Sequence, residues 1–193
     1  RKIINLPSWD FSRDGKAWQQ VAVPHDWAIS GPFDKKWDLQ MVAIEQNGET
    51  EKTEKSGRSG ALPWIGEGMY KMNWTAPKGY KRAVLVFDGA MSQPVVSVNG
   101  KEAGKWAYGY NAFRIDITPF IKFGKSNLIE VHLNNVEESS RWYPGGGLYR
   151  PVSVELYGNE NFSTWDTFVR TLKADKQEAE VEVNALLEGK TGK

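Results

Sequence analysis

From Met69 to Leu156 apolar side chains recur at every second residue in short segments, each cut off by Gly, Pro or Asn. Tyr70, Met72 and Trp74 share one side of Met69–Thr75, and Phe113, Ile115 and Ile117 share one side of the next clear alternation. Ile129, Val131 and Leu133 do the same within Leu128–Leu133, and Val152, Val154 and Leu156 close the series. A period of two is that of a strand with one buried face, and no stretch sustains the helical period that a long helix would need. Ala83–Phe87 is apolar throughout, as a strand buried on both faces would be. Val95–Val98 runs into Asn99-Gly100, a pair that selects a two-residue hairpin turn, and Lys101–Gly104 continues beyond it. Shorter candidates precede these, at Ile3–Leu6, Trp9–Phe11 and Gln20–Val23, the last stopped by Pro24. Thr118-Pro119 pairs an N-cap residue with a proline suited to the first helical position, predicting one helical turn at 118–121. Many short strands, turn residues between them and no long helix define an all-β chain, an antiparallel β-sandwich.

The chain of 193 residues is long enough for one such domain and a remainder. The sandwich is expected over 1–158, with the polar, aperiodic stretch 45–60 as a mobile surface loop. After Gly158–Asn161 the pattern restarts, with strands expected at Asp166–Leu172 and Ala179–Leu187. Two strands make no core of their own. They either dock on the first sandwich or, the preferred reading, open a second domain over 163–193. The first residue is Arg1, with neither Met nor a leader before it, so the chain is expected to be processed or cut. Lys and Arg number 25 against 24 Asp and Glu, so no basic field points to nucleic acid. The absence of Cys excludes a disulfide framework and thiolate metal ligation. No apolar run reaches the length of a membrane span. The compartment stays open, with a periplasmic or secreted origin favoured.

The densest cluster of unusual residues is Ser139–Arg150, S-S-R-W-Y-P-G-G-G-L-Y-R. Gly145, Gly146 and Gly147 permit a sharp turn or a close approach, and Pro144 stiffens the entry to it. Arg141, Trp142 and Tyr143 are thereby displayed at a loop tip. Two explanations fit: a tight turn whose aromatics cap a core, or a ligand-contacting loop. The chain's nine Trp invite the same pair of explanations, since exposed indoles stack on sugars and buried ones fill cores. Catalytic patterns are lacking. His25 and His132 lie far apart, and His132, between Val131 and Leu133, suits a strand histidine with a structural hydrogen bond better than a base. No nucleophile elbow, phosphate loop, calcium loop or zinc spacing occurs, and no two carboxylates stand out as an acid and base pair. No catalytic residue, metal or cofactor is therefore assigned.

Six motifs, taken in order, carry a resemblance. They are V-P-H-D-W-A-I-S-G-P-F at 23–33, G-E-G-M-Y-K-M at 66–72, F-D-G-A at 87–90, V-N-G-K at 98–101, Y-G-Y-N-A-F-R-I-D-I-T-P-F at 108–120, and the 139–150 stretch. Together they resemble the amino-terminal domain of family 2 glycoside hydrolases, the β-galactosidase branch most closely. The resemblance implies a jelly-roll sugar-binding sandwich at 1–158 and the first strands of an immunoglobulin-like sandwich from 163. In that family a TIM barrel carries two catalytic glutamates of a retaining hydrolase, and no barrel pattern occurs between Arg1 and Lys193. It also implies that Arg141, with Trp142 beside it, reaches into the pocket of that barrel and contacts the sugar of a β-galactoside-like glycan. His25, Asp26 and Trp27 are expected to be structural, and Trp64 and Trp106 are weaker sugar-stacking candidates. The implied function is that of a non-catalytic amino-terminal fragment, inactive alone, that shapes the pocket of the barrel. Alternatives are a free-standing carbohydrate-binding module, a β-glucuronidase or β-mannosidase relative, or a scaffold domain that buries its aromatics against protein.

Overall fold

The computed structural model describes residues 1–34, 48, 64–136 and 145–189. These residues form twelve strands: β1 Lys2–Asn5, β2 Ser8–Ser12, β3 Gln19–Ala22, β4 Glu67–Thr75, β5 Arg82–Phe87, β6 Val95–Val98, β7 Lys101–Lys105, β8 Phe113–Asp116, β9 Ser126–Asn134, β10 Val152–Tyr157, β11 Glu160–Ala174 and β12 Ala179–Gly189. The first ten build two antiparallel sheets, a four-stranded one ordered β1-β10-β5-β8 and a six-stranded one ordered β3-β2-β4-β9-β6-β7. The expected loop at 45–60 lies almost wholly outside the described residues.

The sheets pack through the alternating residues picked out above. In β9, Asn127, Ile129, Val131 and Leu133 are buried while their neighbours are not. β4 turns Tyr70 and Trp74 the same way, paired to β9 from Glu67↔Asn134 to Thr75↔Ser126. Across the core stand Leu85 and Phe87 of β5 and Val154 and Leu156 of β10. Val84 and Val86 on the other face of β5 are also buried and cluster with Tyr157, so that strand is covered on both sides. The β6–β7 hairpin turns at Asn99 and Gly100, whose φ values of 52° and 77° are the left-handed pair such a turn requires.

Thr118 does not start a helix. Its hydroxyl is bound to the backbone of Ala83, accepting from the amide at 2.9 Å and facing the carbonyl at 3.3 Å. One turn remains, closed by Phe120 N donating to Ile117 O at 3.0 Å.

β11 and β12 pair only with each other, as a separate two-stranded sheet. Phe162, Trp165, Phe168, Val169, Val183 and Leu187 of this hairpin are exposed. It meets the sandwich through polar contacts: Arg82 bridges Asp116 and Glu188 at 2.8 and 2.7 Å, and the Arg114 guanidinium lies 4.8 Å from the Trp165 ring centroid. β11 begins at Glu160, earlier than its alternation suggests. The register shifts between Phe162 and Thr167, and that irregularity breaks the period of two just where the strand starts.

Candidate functional site

One end of the sandwich gathers the 23–33 motif and the three glycines. The Val23-Pro24 peptide is cis, and His25 N donates to Leu148 O at 2.8 Å. Two residues on, Trp27 N donates to Gly146 O at 2.9 Å, so the segment runs beside 146–148 like a short strand. Asp26 turns back over it: its Oδ1 accepts from Ala28 N at 3.0 Å and from Gly146 N at 3.1 Å. On the far side Gly147 exchanges both backbone hydrogen bonds with Met91, at 2.8 and 2.9 Å.

Trp27 is the centre of this cluster and has no exposed surface. Phe11 stacks on it at 5.7 Å, Tyr70 at 6.4 Å, and half-buried Trp64 tilts against it at 5.8 Å. The indole lies directly on two glycines. A Cβ at Gly146 would overlap Trp27 Nε1, and one at Gly68 would stand 2.7 Å from its Cε3. Gly145 and Gly147 are required for a different reason, with φ of 79° and 109°. Gly146 itself is not in the left-handed region; contact with Trp27 excludes a side chain there.

Tyr70 ties the cluster to the sheet. Its hydroxyl accepts from Leu148 N at 3.4 Å and lies 2.7 Å from His25 Nδ1. Burial pushes the Tyr70 pKa well above the usual phenol value, so the hydroxyl keeps its proton. His25 is donor or acceptor in this bond according to the tautomer of its ring. Its pKa is lowered, by burial first, with the Asp26 charge opposing and Arg13 reinforcing.

Arg141 and Trp142, the two residues expected to touch sugar, lie outside the described residues, with 137–144 as a whole. The two ends of that segment are described, and they are joined. Asn135 is buried at the end of β9, its backbone N donates to Gly66 O at 2.9 Å, and its Nδ2 donates to Gly145 O at 2.8 Å. A single side chain therefore closes the base of the loop. Asn135 Oδ1 and Trp27 Nε1 are buried without a hydrogen-bond partner among the described residues.

His25, Asp26 and Trp27 come together here as supports: Asp26 Oδ1 is held by backbone amides, His25 Nδ1 by the Tyr70 hydroxyl, and Trp27 offers no face to a ligand. Trp64 belongs to the same cluster, with the Arg13 guanidinium 5.0 Å from its ring centroid. Trp106 does not; it lies between β7 and β8. His132 is on the outer face of β9, its Nε2 3.2 Å from Glu67 Oε2. Among the described residues no group of His, Cys, Asp or Glu could hold a metal ion. Asn135 and the Tyr70 hydroxyl were not singled out as functional in the sequence. The only signal for Asn135 is a polar residue just past an alternating apolar strand, which is commonplace. This end of the sandwich thus forms the base of segment 137–144, whose sequence carries Arg141, Trp142 and Tyr143.

No family model matches the chain. Relatives and solved structures do. A β-galactosidase of Bacteroides ovatus, BoGH2A, is 32% identical over 165 residues, 84% of this chain and 17% of its own length. A β-glucuronidase of Formosa agariphila is 25% identical over 197 residues, 90% of this chain and 18% of its own. The crystal structure of a glycosyl hydrolase family 2 member from Bacteroides cellulosilyticus superposes with a TM-score of 0.79 at 28% identity, covering 97% of this chain and 24% of that one. The chain thus spans less than a fifth of the length of these two curated relatives. With the all-β sandwich, the order of the motifs and these matches in agreement, the chain belongs to the family 2 glycoside hydrolases, as the counterpart of their amino-terminal β-sandwich domain.

Proposed function

We propose that this chain is the non-catalytic, pocket-shaping sandwich of a retaining β-glycosidase, with a β-galactoside as first substrate. Residues 1–158 form the sugar-binding sandwich, and 163–193 open an immunoglobulin-like domain that continues in the parent protein. The carrying observation is the base of the 137–144 loop, locked by Asn135, Asp26 and Trp27 onto Gly145 and Gly146. So rigid a base has little purpose under a plain turn and much under a side chain that must meet substrate within an ångström. Arg141 is the residue proposed to make that contact. Its guanidinium suits paired hydroxyls, and the Trp142 indole suits the apolar side of a pyranose. β-Glucuronide hydrolysis is the second reading, because relatives of both names match the chain.

The test uses the full-length parent with nitrophenyl β-galactoside and β-glucuronide. Arg141→Ala should lower kcat/KM on the preferred substrate roughly ten- to a hundredfold, the effect of losing a charged hydrogen bond worth about 1.5–3 kcal/mol. The melting temperature should hardly move. A sharp fall in melting temperature with normal kinetics would make Arg141 a structural brace and remove the proposal. The 193-residue chain alone should release only background nitrophenol.

A further inference from the structure

A second aromatic cluster is built around Trp106. Phe87 and Phe113 stack in the core at 4.7 Å with 8° between their planes, and Trp106 continues the stack over Phe113 at 5.6 Å and 7°. Phe87 and Phe113 are buried, whereas Trp106 is 39% exposed, so the column runs from the core to the surface and ends in an indole. Its orientation is fixed. Nε1 donates to Asn111 Oδ1 at 2.9 Å, and its backbone N donates to Pro94 O at 3.0 Å. The indole lines an open cleft of about 570 Å³ with Pro94, Val95, Ala107 and Tyr108, and Gln93 and Lys105 supply its polar groups. Gln93 is presented from a left-handed backbone, φ 49°. Among the described residues, neither the Gln93 amide nor the Lys105 ammonium has a hydrogen-bond or ion-pair partner.

We infer that this cleft is a second saccharide-binding site, with one pyranose stacked on Trp106 and its hydroxyls met by Gln93 and Lys105. A ligand that continues the column must offer a flat apolar face, and one that engages a free amide and a free ammonium must carry a polar rim. A pyranose has both, and a volume of this size suits a few sugar rings better than a protein partner. An immobilised indole loses little entropy on binding, as a preformed platform should. The choice of sugar over another amphipathic ligand rests on the glycosidase reading above; the platform itself does not.

The experiment is affinity electrophoresis of the full-length parent through gels containing soluble β-galactan, β-mannan or a polyuronate. At least one polymer should retard the protein, and Trp106→Ala should raise the apparent Kd about tenfold or more. The rate on nitrophenyl β-galactoside should stay as in the parent, because among the described residues the side chains of Trp106, Gln93 and Lys105 make no hydrogen bond or ion pair with the loop base. Gln93→Ala with Lys105→Ala, two exposed side chains without partners, provides the same test should Trp106→Ala fail to fold. Retardation that survives these variants, or a parent that none of the three polymers retards, overturns the inference, and the second result is also what a cleft covered by protein would give. A parent that cleaves glycosides but is not retarded loses only this site. A parent retarded through Trp106 but inactive on glycosides keeps this site and loses the catalytic reading.

Discussion

Gly146→Ala tests whether the loop base is built around Trp27. The added methyl would overlap Trp27 Nε1 and stand 2.7 Å from Cε2, far inside van der Waals contact. The ring has nowhere to retreat: Gly68 lies against its other edge, Phe11 stacks on it at 5.7 Å, and the residue has no exposed surface. Overpacking a site that cannot relax costs about 3 kcal/mol, the upper end of the usual range. Gly146 has no left-handed backbone to strain, so alanine recovers about 0.4–1 kcal/mol by restricting the unfolded chain. The net loss is about 2 kcal/mol, which lowers the melting temperature of a sandwich of this size by about 4–8 °C. Urea unfolding followed by far-ultraviolet circular dichroism measures it. Trp27→Phe shrinks the ring that is hit, so the double variant should be less destabilised than the sum of the singles by at least about 1 kcal/mol. Additive effects, or a loss below about 0.5 kcal/mol for Gly146→Ala alone, would refute the steric argument.

Other perturbations bear on the same end of the sandwich and on the hairpin. His25 has a pKa below its unfolded value, so the unfolded chain binds the extra proton first as pH falls. Its contribution is complete above about pH 6.5, the unfolded value, and is lost as pH falls through the folded one. His25→Gln should flatten that acid limb of a stability profile, and an unchanged limb would assign it to other groups. Asn135→Leu removes the Nδ2 bond to Gly145 O and should cost about 1–3 kcal/mol, because a buried carbonyl loses its partner. A melting temperature equal to the parent's would show that the bond does not hold the loop base. Amides of Val181–Leu186 should exchange with solvent far faster in the 193-residue chain than those of Ile129–Leu133, because a two-stranded sheet with exposed faces is marginal. Equal protection in a verified monomer would show the hairpin firmly docked.

The sandwich was legible because its strands obey a local rule. Burial at Ile129, Val131 and Leu133 follows from a period of two, and the turn at Asn99-Gly100 follows from the φ values only those residue types take easily. Pairing was not legible, since nothing local tells β1 that it will lie beside β10. Thr118 shows the same limit. Its N-cap chemistry is real, but the strand backbone at Ala83 took the hydroxyl first. The Phe162–Thr167 irregularity hid the start of β11, because a shifted register leaves no period to count.

The candidate site divides along the same line. The H-D-W motif and the glycine run were both conspicuous, yet the reason for the middle glycine was not visible in either. Gly145 and Gly147 answer to backbone geometry, which a turn-rich sequence already suggests. Gly146 answers to an indole more than a hundred residues earlier, and Asp26 reaches the same distance to accept its amide. Each motif therefore specifies half of a contact. The Trp27 ring needs a partner without a side chain, and the loop base needs a carboxylate and an amide to hold it closed. A substitution in either half should fail in the same way, through the base of 137–144, although Asp26 and Gly146 stand 120 residues apart.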